Sequence, residues 1–241
     1  MCQSIKENRF GVVAVVVALC LSLAGGAQGQ SKNAKKLADA TKNAQEASDT
    51  FTGIMNVPEK GIPRDLLDKA EAIGVFEVVK AGFIVGGRSG HGVISRRVKG
   101  GWSAPAFYNL NGGSFGLQIG AAKVDLVLLF MNTGAVDHLM EDKFEIGGEG
   151  SAAAGPVGRS ASASTDAQLH AQILSYSRSK GLFAGLEIKG VAISPDNNDN
   201  EPVYGMKAND VLSPSKQWKI ADMPAGVRIF PRTLARYSTR K

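Results

Sequence analysis

Between residues 30 and 55, Leu37, Ala40, Ala44, Ala47, Phe51 and Ile54 recur at three- and four-residue steps. That spacing predicts a helix with one apolar face. The face is mostly alanine and buries little surface until Phe51, Ile54 and Met55, while Lys32, Lys35, Lys36 and Lys42 make the first half basic. Such a helix either docks on the folded domain or lies in a membrane interface. Docking is the favoured expectation, because alanine packs closely against protein and gains little in lipid.

Pro58 and Pro63 frame a turn, and residues 64–70 read as a short helix with Pro63 in its first turn. From Gly74 to about Val211 glycine becomes frequent and the apolar period shortens toward two. Strands are expected at 81–87 and 92–98. A second pair, 103–109 and 115–121, flanks Asn111-Gly112-Gly113, a hairpin-turn signal. Residues 124–131 form a nearly continuous apolar run, as in a strand covered on both faces, and 133–140 predict a short helix. The Gly/Ala/Ser-rich stretch 147–164 is either a flexible loop or a place where a curved sheet folds tightly. Residues 173–177 and 182–193 predict a hairpin around Lys180-Gly181. The expected fold is α+β: a strongly curved antiparallel β-sheet or barrel, with a long N-terminal helix and a few short helices.

The first 29 residues read as a signal peptide. Lys6 and Arg9 precede an uncharged run over residues 11–24, and Ala27-Gln28-Gly29 supplies a small-x-small cleavage pattern. The run is shorter than the roughly 20 residues that span a bilayer, so a retained anchor is the weaker alternative. Cys20 invites a lipoprotein reading, but bulky Leu19 precedes it. Export to the periplasm or medium is therefore expected, with peripheral membrane association possible for the mature chain. Cys2 and Cys20 are the only cysteines, so the mature domain would hold no thiol chemistry and no disulfide.

Charge divides unevenly. The chain is +6 overall, and residues 214–241 alone are +6, with seven basic side chains against Asp222. Residues 30–213 carry a net −1. The organisation expected is signal peptide 1–29, amphipathic helix 30–56, domain 57–213 and a basic C-terminal tail 214–241. Such a tail favours anionic surfaces, or simply solvates the terminus.

Candidate chemistry is sparse. Gly112-Gly113-Ser114-Phe115-Gly116 matches G-x-S-x-G, but a nucleophile elbow needs a helix after the serine, and the residues that follow alternate as a strand. His91, His138 and His170 lack the spacing of a metal motif; His91, in a Gly-rich turn, is the one to watch. Residues 196–201 resemble the start of a calcium loop, yet Glu201 stands where glycine is required and Lys207 where the closing Glu belongs. They read as a polar loop between strands. No nucleotide loop or basic–aromatic interleaving is present, which argues against cofactors and nucleic acid. An enzyme built on Ser114 or His91 is the least favoured reading; a non-enzymatic binding protein is expected.

Several strings mark a known family: Ala81-Gly82-Phe83, Gly86-Gly87, Gly101-Trp102-Ser103-Ala104-Pro105, Ala154-Gly155-Pro156, and Tyr176-Ser177-Arg178-Ser179-Lys180-Gly181-Leu182-Phe183-Ala184-Gly185. Their order resembles the SYLF domain family, also called Ysc84 or DUF500, over roughly 140 residues. The resemblance implies a lipid-binding domain without established enzymatic activity, with phosphoinositide and actin binding described for eukaryotic members. Those members are cytosolic, so for an exported chain the lipid part transfers better than the actin part, and actin is an unlikely partner. The expected ligand is an anionic phospholipid at a membrane surface. The candidate contacts are Lys35, Lys36, Arg88, Arg96, Arg97, Lys99, Arg159, Arg178 and Lys180, with Trp218 as the interfacial aromatic. Trp102 suits packing better. The alternative is an envelope module that docks a protein partner through sheet edges, the basic tail or the N-terminal helix.

Overall fold

The computed structural model describes residues 33–57, 61–158, 170–179, 182–186 and 188–238, with backbone alone at 82–85 and 114–121. The segment expected as a signal peptide, Arg159 and Lys180 lie outside the described residues.

Residues 33–55 form helix α1. Ala40, Ala44, Ala47, Phe51 and Ile54 are buried in the hydrophobic core, so the helix docks on the domain as expected. Leu37 remains 41% exposed, and the buried stripe starts one turn later than the sequence pattern suggested. Helix α2 (Arg64–Lys69) follows.

The sheet is built on two very long strands, β1 (Ala72–Val98) and β3 (Ala106–Phe130), paired antiparallel from Ala72↔Phe130 to Ile94↔Ala106. A straight strand of 27 residues would reach about 90 Å, against a radius of gyration of roughly 18 Å for a domain of this length. The ribbon therefore doubles back on itself. A Cβ on Gly92 would lie 2.3 Å from the Val75 carbonyl oxygen, and one on Gly90 would lie 2.4 Å from that of Glu77. The two halves of β1 can cross this closely only because neither position carries a side chain. Gly74 likewise sits against Ile94 and the rings of Phe76 and Phe130.

Folding the ribbon creates two layers. In one, the second half of β3 is extended by β6 (Ile173–Ser179), which pairs with β5 (Ala152–Ala154) and β7 (Leu182–Gly185). In the other, the first half of β3 is extended by β8 (Val191–Pro195), which pairs with β4 (Phe144–Ile146). The short β2 (Gly101–Trp102) pairs with the end of β1. Among the described residues this is a curved sheet of eight strands. It is mixed, since β5 runs parallel to β6.

Four local expectations are corrected. Segments 81–87 and 92–98 are parts of one strand, and Asn111-Gly112-Gly113 lies inside β3 where a hairpin turn was expected. Gly112 there admits the close approach of β8, since a Cβ on it would lie 2.7 Å from the Gly190 carbonyl oxygen; the chain reversal lies between β1 and β3, where Gly100 adopts φ 88°. Residues 197–204 form helix α4 (Asn197–Tyr204) instead of a polar loop, after α3 (Thr133–His138). Its buried Asn200 donates to the Phe107 carbonyl and accepts from the Phe107 N–H, both at 2.9 Å. The C-terminal segment is no free tail. After α5 (Ala208–Val211), Met223, Val227, Phe230 and Leu234 enter the core, the last two on α6 (Ile229–Tyr237).

Candidate functional site

The candidate cations are scattered, and several are already engaged. Lys35 is exposed on the first turn of α1, and Lys36 pairs with Asp199. Arg97 donates to the carbonyls of Ala70 (3.0 Å) and Leu67 (2.8 Å) and to Ser238 Oγ (2.7 Å), with its guanidinium 4.1 Å from the Trp102 ring. Trp102 is itself buried, a packing residue as expected. Lys99 is exposed in the β1–β2 turn. Arg178 donates twice to Asp125 Oδ2, at 3.0 and 2.7 Å. A Cβ on Gly53 would lie 2.3 Å from Arg178 Nη1, so the guanidinium packs directly against α1 at this glycine. Trp218 donates its indole N–H to the Val211 carbonyl (2.8 Å), meets Tyr204 edge-on and lies under Lys216. Lys36, Arg97, Arg178 and Trp218 are thus committed to contacts within the fold.

Arg96 differs. It is 9% exposed, and its side chain has no hydrogen-bond or ion-pair partner among the described residues; its backbone N–H donates to Ser103 Oγ at 2.9 Å. Ser103 also donates to the Ala104 carbonyl, which fixes the Trp102–Pro105 string as the corner leading into β3. Alternation from Gly92 and Ile94 places Arg96 on the row that faces the opposite layer.

At the other end of that row the fold brings two cations together. Gly90 lies against Val78, so two residues further along each half of β1 Lys80 and Arg88 are neighbours across the bend. Burial first, and the Arg88 charge second, hold the Lys80 ammonium below its usual value. Arg88 donates to the Gly113 carbonyl at 3.2 Å, and neither cation has an acidic partner among the described residues. Lys123 is close along the strand but pairs with Glu77. Around this pair the surface is open: Val79 is 46% exposed, Ala81, Gly87 and Gly113 are exposed, and nothing lies within 4 Å of where a Cβ on Gly87 or Gly113 would be. Of the expected contacts only Arg88 belongs here. Lys80 was missed because its relation to Arg88, eight residues away, exists only once β1 folds back. The signal available was that the two cations bracket an uncharged, glycine-rich run.

Other candidates supply less. A cleft of about 490 Å³ between β8, β4 and Asn111 is lined by Asp142, Glu145, Lys143 and Ser194, a mixed set with no excess of cations. The backbone at Ser114 is strand on both sides, so the strand-to-helix turn of a nucleophile elbow is not formed there. His91 is exposed, near Asn43 and Glu46 of α1. His138 Nδ1 lies 3.0 Å from Glu141, its ring stacked on Phe144. Among the described residues no three His, Asp or Glu side chains converge as a metal set.

A family model, Ysc84, described as "Las17-binding protein actin regulator", matches residues 111–237. The LAS seventeen-binding protein 3 of Saccharomyces cerevisiae is 36% identical over 177 residues, covering 71% of this chain and 39% of that protein. The SH3 domain-containing YSC84-like protein 1 of Xenopus laevis is 33% identical over 183 residues, covering 73% of this chain and 55% of the relative. The human protein of the same name is 32% identical over 182 residues, with coverages of 73% and 53%. The chain thus spans about half the length of these relatives, or less.

Proposed function

Because the chain belongs to the Ysc84 (SYLF) family, we propose that it is a non-enzymatic, exported protein that binds anionic phospholipid headgroups at a membrane surface. The observation that carries this reading is the Lys80–Arg88 pair. Burial raises the cost of charging Lys80, and the Arg88 charge across the bend of β1 adds repulsion to it. A phosphate placed between them removes both penalties through charge-assisted hydrogen bonds. In that state Lys80 holds its proton more firmly.

Flotation with vesicles tests this. The chain is expected to float with equimolar phosphatidylcholine and phosphatidylglycerol and to stay behind with phosphatidylcholine alone. Lys80→Gln with Arg88→Gln should weaken binding roughly tenfold or more, at about 1 kcal/mol per cation near a charged surface. Arg232 and Arg236, exposed on α6, are the competing basic surface; a larger loss on their replacement would move the site there. The export part predicts a secreted chain that begins near Gln30, and an intact Met1 on the protein in its native compartment would refute it.

A second reading takes its support from the relatives' printed names, which describe Las17-binding proteins. On that reading the domain docks a protein partner. It is favoured if crosslinking recovers a stoichiometric protein while flotation fails.

A further inference from the structure

Resting on the membrane reading above, we infer that the folded end of the β1–β3 ribbon is a wedge that enters the acyl-chain region of an anionic bilayer while Lys80 and Arg88 stay at the phosphates. Residues 81–87 and 113–122 carry no charge, and their sequence supplies Phe83, Ile84, Val85, Phe115, Leu117 and Ile119 among glycines and alanines. A sheet end kept in water is ordinarily guarded by charged side chains. Here the charges stop at Lys80, Arg88 and Lys123, and the segment beyond them is uncharged and mostly apolar, with Ser114 and Gln118 its polar side chains. That order, apolar tip and cationic collar, matches the order of acyl chain and phosphate in a leaflet.

The backbone suits the same occupant. Hydrocarbon solvates no peptide group, so any segment that enters it must pair its own N–H and C=O groups. The two strands are paired on both sides of the bend, with Gly82↔Gly120, Ile84↔Gly116 and Gly86↔Ser114. The register shifts at the irregularity between Gly82 and Ile84, which confines the interruption of the ladder to the turn itself and resumes the pairing on its far side. Depth is limited: from Lys80 to Ile84 the strand rises about 13 Å, enough to pass the headgroups and well short of a hydrocarbon core of about 30 Å. No described helix is long and apolar enough to cross a membrane.

The test places an indole in the wedge. Full-length Phe83→Trp is bound to equimolar phosphatidylcholine and phosphatidylglycerol vesicles, with and without bromine on the acyl chains, and its emission is compared with that of the parent chain. The added emission is expected to shift to the blue and to be quenched by the brominated lipid. Phe83→Asp with Leu117→Asp should lose roughly tenfold or more of the binding that survives high salt. If the chain floats but the added indole emits as in water and escapes quenching, the wedge is wrong and the membrane reading stands. If the parent chain floats with neither vesicle, both fall.

Discussion

Arg96 is a buried residue, 9% exposed, whose side chain has no described partner. A buried charge without a counter-ion is costly, and an apolar residue of similar length often removes that cost. Arg96→Met is therefore expected to leave the fold intact and raise stability by about 1–4 kcal/mol, read as a higher Tm in a calorimetric scan. A fall in Tm would mean that Arg96 meets an anion in the native protein. The position was legible as a cation beside Arg97 and Lys99. Its burial was not, since it depends on which face of β1 meets the opposite layer. Asn200 was hidden for a different reason. Polar composition marked its neighbourhood as a loop, whereas the side chain works by completing the backbone bonds of Phe107.

Helix α1 was legible from its period, and its docked state followed from the small size of its stripe. Alanine gains little in lipid but lets a helix approach a sheet closely. What the period could not reveal is the latch at its end. Arg178, expected as a lipid contact, bridges Asp125 on β3 and lies against Gly53 of α1. Gly53→Leu should push the guanidinium away from Asp125 and cost about 1–3 kcal/mol. If the latch is real, the effects of Gly53→Leu and Asp125→Asn are not additive in urea unfolding; additive effects would separate the helix contact from the ion pair. The long strands were the least legible elements. Glycines punctuate hairpins far more often than they mark bends in one ribbon, so β1 and β3 read as five strands.

At the scale of the molecule, the doubled ribbon accounts for both the core and the proposed site. Its inner rows pack at Gly74, Gly90 and Gly92, and its folded end gathers Lys80 and Arg88 outside the packed region. The family strings around Trp102 and Tyr176 fall on the corner into β3 and on β6, which is why a resemblance could be read before any geometry. The charge count pointed instead to the C-terminus, whose apolar residues are buried in the core. The central claim is that an anionic bilayer is the ligand. Flotation of the full chain with equimolar phosphatidylcholine and phosphatidylglycerol, set beside phosphatidylcholine alone, tests it most directly. Recovery is expected with the anionic vesicles only, declining as salt shortens the Debye length from about 10 Å toward 3 Å. Absence of flotation at low salt, or equal recovery with both vesicles, would contradict it.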